Sequence, residues 1–165
     1  MLRFLPLFLC ALVTVAPAAD TPDALAALTY SGDPQALTAL DQEIKAAGTD
    51  AAKLDAIEQR LLAVLRRSES TYAARQAAAQ RLGWVLGLGA PKTSADAFKP
   101  LGAMLAEERD SDLARVALEP ANGAVVDGLF VSALEKSTGR TRLGLIDSVA
   151  RRRQASAVPA LTRLL

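Results

Sequence analysis

Apolar residues recur along this chain with a helical period. After Asp50, residues Leu54, Ile57, Leu61, Val64 and Leu65 fall at i, i+3, i+7, i+10 and i+11, one face of a helix. Leu82, Val85 and Leu86 form the apolar end of a segment that starts at Ser70 or Thr71 and runs to about Leu88. Phe98, Leu101, Met104 and Leu105 mark a helix starting at Ser94. Leu113, Val116 and Ala117 mark a short one, capped by Asp110 or Ser111 and stopped by Pro120. Val126, Leu129, Phe130 and Leu134 place a helix over 125–135, and Leu143, Ile146 and Val149 another over 140–153. A last helix is predicted over 155–165. No run alternates with period two over a convincing length, so the chain reads as all-α.

The punctuation between these segments agrees with the period. Thr21-Pro22 and Asp33-Pro34 each place a capping residue before a proline, opening helices over 23–30 and 35–47. Gly48 closes the second of these. Asn122-Gly123 forms a turn and Gly139 breaks the helix before it. Short connections between helices of about ten to eighteen residues predict stacked antiparallel hairpins. Their core is expected to contain Leu54, Ile57, Leu61, Leu82, Leu101, Leu105, Leu129 and Ile146.

One stretch departs from the pattern. Arg3 is followed by an uninterrupted apolar run over 4–15 and by Ala16-Pro17-Ala18, a small-x-small site. That order is a secretory signal peptide over 1–18, too short for a membrane span, so the working protein is expected outside the cytoplasm, secreted or periplasmic. Cys10, the sole cysteine, sits inside this run. Leu9 precedes it where a lipobox wants a small residue, and it reads as apolar filler.

Removing 1–18 leaves a chain with neither cysteine nor histidine. Disulfides, Ser-His-Asp and Cys-His sites, zinc sites with nitrogen or sulfur ligands and covalent haem attachment all fall away. No catalytic residue, cofactor or metal site is expected. Eighteen basic residues then face eighteen acidic ones, which argues against a dedicated nucleic-acid binder. The balance is uneven along the chain: residues 136–165 hold seven basic residues against Asp147 alone. No second apolar run approaches the length of a membrane span.

Some segments echo one another. Lys99-Pro100-Leu101-Gly102-Ala103-Met104-Leu105 matches Val158-Pro159-Ala160-Leu161-Thr162-Arg163-Leu164-Leu165, each a proline followed by an apolar helix. Arg75, Ala78, Leu82 and Gly83 in one segment are matched in part by Arg115, Ala117 and Leu118 in another. Residues 139–149, from Gly139-Arg140-Thr141-Arg142 onward, repeat the theme. Over residues 71–165 the chain resembles the HEAT-repeat family, in its bacterial, often secreted branch. The spacing is irregular, forty residues from Arg75 to Arg115 and twenty-seven from Arg115 to Arg142, and residues 20–68 show no clear match.

The resemblance implies an α-solenoid of stacked antiparallel helix pairs, a HEAT-like superhelix. The organisation expected is a signal peptide over 1–18, an N-terminal helical segment over 19–68 and HEAT-like repeats over 69–165, the last one incomplete. The function expected is a secreted or periplasmic scaffold for protein–protein interaction, bound through the groove lined by second helices and without catalysis of its own. Two alternatives stay open: the N-terminal arm of a larger secreted enzyme with a catalytic or haem domain beyond Leu165, and a lyase-type HEAT-like subunit.

Candidate binding residues are few. Arg140, Arg142, Arg151, Arg152 and Arg153 offer a docking ridge for an anionic partner, or simply cations at a helix C-terminus. At eleven residues apart, Arg140 is expected to stack with Arg151 and Arg142 with Arg153. Trp84 is either a core or hinge aromatic or an exposed anchor for a partner. Gly83-x-x-x-Gly87-x-Gly89 around it reads as close helix packing. Glu107, Glu108, Asp110 and Asp112 lack the spacing of a calcium loop and read as a capped acidic turn.

Overall fold

The computed structural model describes residues 25–32, 35–88 and 94–165. The expected signal peptide, Cys10, Gly89 and the Thr21-Pro22 and Asp33-Pro34 openings lie outside them. Among the described residues the protein is all-α, with eight α-helices and no strand. Helix α1 spans Gln35–Ala47, α2 Ala51–Arg66, α3 Tyr72–Gly87, α4 Ser94–Leu105, α5 Ser111–Leu118, α6 Ala124–Lys136 and α7 Gly139–Arg151. A 3-10 turn over Ala155–Ala157 leads into α8, Val158–Thr162. Of the helix expected over 23–30, the described part is helical at Leu25 and Ala26 only and then turns.

Local chemistry sets most boundaries. Gly48 ends α1 at φ +54, and its N–H donates to the Ile44 carbonyl at 3.3 Å. The Asp50 carboxylate then accepts from the Ala52 and Lys53 N–H groups at 3.1 and 3.3 Å and starts α2. The Lys53 N–H bond holds that carboxyl below its ordinary pKa. Thr71 caps α3, accepting from the Ala74 N–H at 3.0 Å, while its hydroxyl donates to the Leu28 carbonyl. The second bond ties residues 25–32 to the start of α3.

Three expectations are corrected. Asp110 precedes α5 but makes no side-chain cap; its carboxylate turns instead to Arg75 of α3. The helix of 140–153 stops at Arg151, and Arg153 takes a left-handed conformation at φ +50. The final segment is not one helix over 155–165. Pro159 has no N–H to donate to Ala155, so the chain forms a 3-10 turn before α8 starts.

The buried faces follow the periodicity. Leu54, Ile57, Leu61, Leu82, Leu101 and Leu105 are almost fully buried. Leu129 and Ile146 are half-buried, packed at the margin of the core, and Phe130 takes the innermost position on α6. Leu129 instead covers Gly102 of α4, where an added Cβ would lie 2.7 Å from its Cδ2. Glu58 and Leu62 of α2 are also buried, so that helix is covered over more than its apolar stripe.

Neighbours in space follow a regular order. α2 packs on α3, α4 on α5, and α6 on α7. Across these pairs, α3 packs on α5 and α5 on α7, while α2 meets α4, α4 meets α6, and α6 meets the 3-10 turn and α8. α1 touches both α2 and α3. The helices therefore fall into two rows, α2–α4–α6–α8 and α1–α3–α5–α7. One hydrophobic cluster runs continuously through both, from Leu25 to Ala160. No helix among the described residues is long and apolar enough to cross a membrane.

Candidate functional site

α3 is the centre of the second row, and its composition explains why. Ala73, Ala74, Ala77, Ala78 and Ala79 are buried, as are Leu82, Val85 and Leu86, so neighbours close in on several sides. Gly83 and Gly87 face α5: an added Cβ at Gly83 would lie 2.9 Å from the Val116 carbonyl, and one at Gly87 3.3 Å from Pro120. The expected role of these glycines in close packing is seen directly.

The candidate arginines are separated by this geometry. Arg152, whose side chain is only 8% exposed, points inward. Its Nη1 donates to the carbonyls of Leu118, Glu119 and Ala121 at 3.1, 2.7 and 2.6 Å, and its Nη2 to Asp127 Oδ1 at 2.8 Å. Its guanidinium lies over the Phe130 ring, 5.2 Å from the centroid. Arg142 donates Nε to the Ser137 carbonyl at 2.6 Å. Arg153, beyond the end of α7, does not continue the stack expected with Arg142. Arg140, Leu143, Asp147 and Arg151 share one exposed stripe of α7, with Arg151 paired to Asp147 at 2.9 Å. A continuous five-arginine ridge is thus not formed; Arg140, Arg151 and Arg153 are the exposed members.

Two further arginines do the interior work that sequence reasoning assigned only to the repeat pattern. Buried Arg75 donates Nε to the Leu65 carbonyl at 3.1 Å and forms an ion pair with Asp110 at 2.8 Å, joining the ends of α2 and α3 to the turn before α5. Arg115 of α5 donates to the Gly144 carbonyl and to Ser148 Oγ of α7 at 3.1 and 3.2 Å. Ser148 in turn donates to Glu119 at 2.6 Å. Arg115 occupies the space a side chain at residue 144 would need, since a Cβ there would lie 2.8 Å from its Cζ.

Trp84 stands on the outer face of α3, 48% exposed. The Arg81 guanidinium covers its ring at 5.0 Å, and Arg81 is itself fixed by a two-pronged bond to Asp41 of α1 at 2.9 and 3.0 Å. One turn earlier on α3 lies a groove of about 310 Å³, walled by Leu28, Thr29, Tyr30 and Gly32, by Leu37 of α1 and by Gln76, Gln80 and Arg81. Tyr30 and Gln76, both in its wall, are joined by a hydrogen bond from Tyr30 Oη to Gln76 Oε1 at 2.8 Å. This groove was missed in the sequence. Its only signal is the spacing of Gln76, Gln80 and Trp84, at i, i+4 and i+8 on one helix.

Outward apolar groups continue along the same row, with Val116 on α5 and Leu143 on α7. Among the described residues no group of three or more carboxylates is placed to hold a metal ion. Along this row aromatic and aliphatic side chains are spaced between amides and arginines. Comparison with family models, curated proteins and solved structures found no match to this chain.

Proposed function

We propose that the chain is an exported α-solenoid of HEAT-like helix pairs, secreted or periplasmic, that works as a scaffold for a protein partner and has no catalysis of its own. The second-row helices α3, α5 and α7 form its binding face. The observation that carries this reading is the order of neighbours. Pairs stack on pairs, and along each row every helix packs against the next. A fold of that kind buries a core between the rows and leaves the outer face of each row open to a partner. On the second row Trp84, Val116 and Leu143 are exposed large apolar groups on successive helices. Export is supported by the tripartite pattern of residues 1–18. The absence of histidine and cysteine after Cys10 supports a non-catalytic role.

Site-specific photo-crosslinking in the producing cell tests the reading. A photoreactive residue at Val116 or Leu143 is expected to trap one recurrent protein partner in the exported fraction. The same probe at Val125, 64% exposed on first-row helix α6, is expected to trap none. Equal labelling at all three positions, or none at any, overturns the proposed binding face.

A further inference from the structure

We propose that the groove on α3 takes a segment of extended peptide, neutral and apolar in its side chains, held by the amide groups of Gln76 and Gln80. This rests on the scaffold reading and names what part of the second-row face binds. The two glutamines are oriented by their neighbours. Tyr30 donates to Gln76 Oε1 at 2.8 Å, and Arg81 Nη1 donates to Gln80 Oε1 at 3.4 Å. Each carbonyl oxygen is therefore engaged, and what each side chain has left is its NH2 group, a donor with no partner among the described residues.

Spacing selects the ligand. Gln76 and Gln80 are one turn apart, about 6 Å along the helix axis. A peptide in strand conformation presents alternate carbonyls on the same side at about 6.6–6.8 Å. Laid along α3, it meets both donors with successive same-side carbonyls. A helical ligand has its carbonyls bonded internally and offers none in mid-segment.

The remaining walls agree. Leu28, Leu37 and the alanines of α3 line the groove with apolar surface. Arg81 is held by Asp41, so the groove carries no free charge to select an anion. Trp84, one turn beyond Gln80, has Arg81 on its ring and remains half exposed, a platform for one apolar ligand side chain.

The test uses the purified chain and a phage library of random dodecapeptides, with enriched peptides synthesised and titrated. Trp84 is the single tryptophan, so intrinsic emission reports binding at this groove. Enriched peptides are expected to shift that emission. They should bind roughly tenfold or more weakly to the Gln76→Glu/Gln80→Glu protein, which keeps both oxygen acceptors and loses both NH2 donors. The uncharged Gln76→Met/Gln80→Met pair is expected to show the same loss, and Val125→Glu on the first row none. Circular dichroism of each variant checks that the helices are intact.

Peptides that bind both glutamine variants at full affinity and leave Trp84 emission unmoved overturn the inference, while the crosslinking result still decides the scaffold reading. A library that enriches nothing overturns it too. So does a neutral oligosaccharide such as maltotetraose that shifts Trp84 and loses affinity in the same variants, which assigns the groove to a sugar.

Discussion

At Arg152, a planar group with five N–H donors meets the loose carbonyls that follow α5. Without it the Glu119 and Ala121 carbonyls would have to find other partners, Leu118 would keep the Ala121 N–H, and Asp127 would lose its cation. Arg152→Met is therefore expected to lower stability by about 3 kcal/mol in urea denaturation. Arg140→Ala, on an exposed side chain, is expected to stay within about 0.5 kcal/mol of the parent. In the sequence these arginines look alike, because inward or outward placement depends on where α7 stops and on the left-handed turn at Arg153. Neither is written in the local pattern. Asp50 was legible, since a capping residue before a periodic run has one obvious role. Its carboxyl is lowered by the Lys53 N–H in the folded state, so its contribution is present above the unfolded pKa. That contribution is lost as pH falls through the lower, folded value. The stability gap between the parent and Asp50→Ala, followed by urea midpoint, is expected to be constant near neutrality and to shrink only in acid.

Elements were legible where burial is one-sided. α2 shows its stripe because one face dominates, and the cap, the period and the buried side chains agree from Leu54 to Leu65. α3 is different: it is covered on several sides by small residues, so no stripe marks its orientation, and its outward groove stayed hidden. Residues 155–165 misled for another reason. Their apolar spacing is helical, but Pro159 removes the hydrogen bond that would carry a helix through. Two glycines put packing to a direct test. Gly128 lies in mid-helix with open space around its Cβ position, so Gly128→Ala is expected to raise stability by about 0.5–1 kcal/mol. Gly83→Ala places a methyl 2.9 Å from the Val116 carbonyl and is expected to cost about 1–3 kcal/mol. Thermal melts of the two variants should move in opposite directions.

Across the whole molecule, the all-α class and the succession of helices could be read from periodicity, whereas the order of neighbours needed the structure. That order has an energetic signature. α2 meets α1, α3 and α4 but packs against neither α7 nor α8. Leu61→Ala in α2 is expected to cost about 2–5 kcal/mol. By hydrogen exchange it should strip protection from α1–α3 more than from α6–α7. A uniform loss would mean that the rows unfold as one cooperative unit. The same order has a mechanical side. A load that slides α7 past α5 must break the Arg152 grip on three backbone carbonyls, acceptors that do not titrate and that mobile ions do not readily displace. The part of the α5–α7 contact that rests on those carbonyls should therefore be little affected by added salt. The contact between α3 and α5 is held differently, by the buried Arg75–Asp110 pair and by backbones that approach closely at Gly83, so sliding there must work against packing as well as charge.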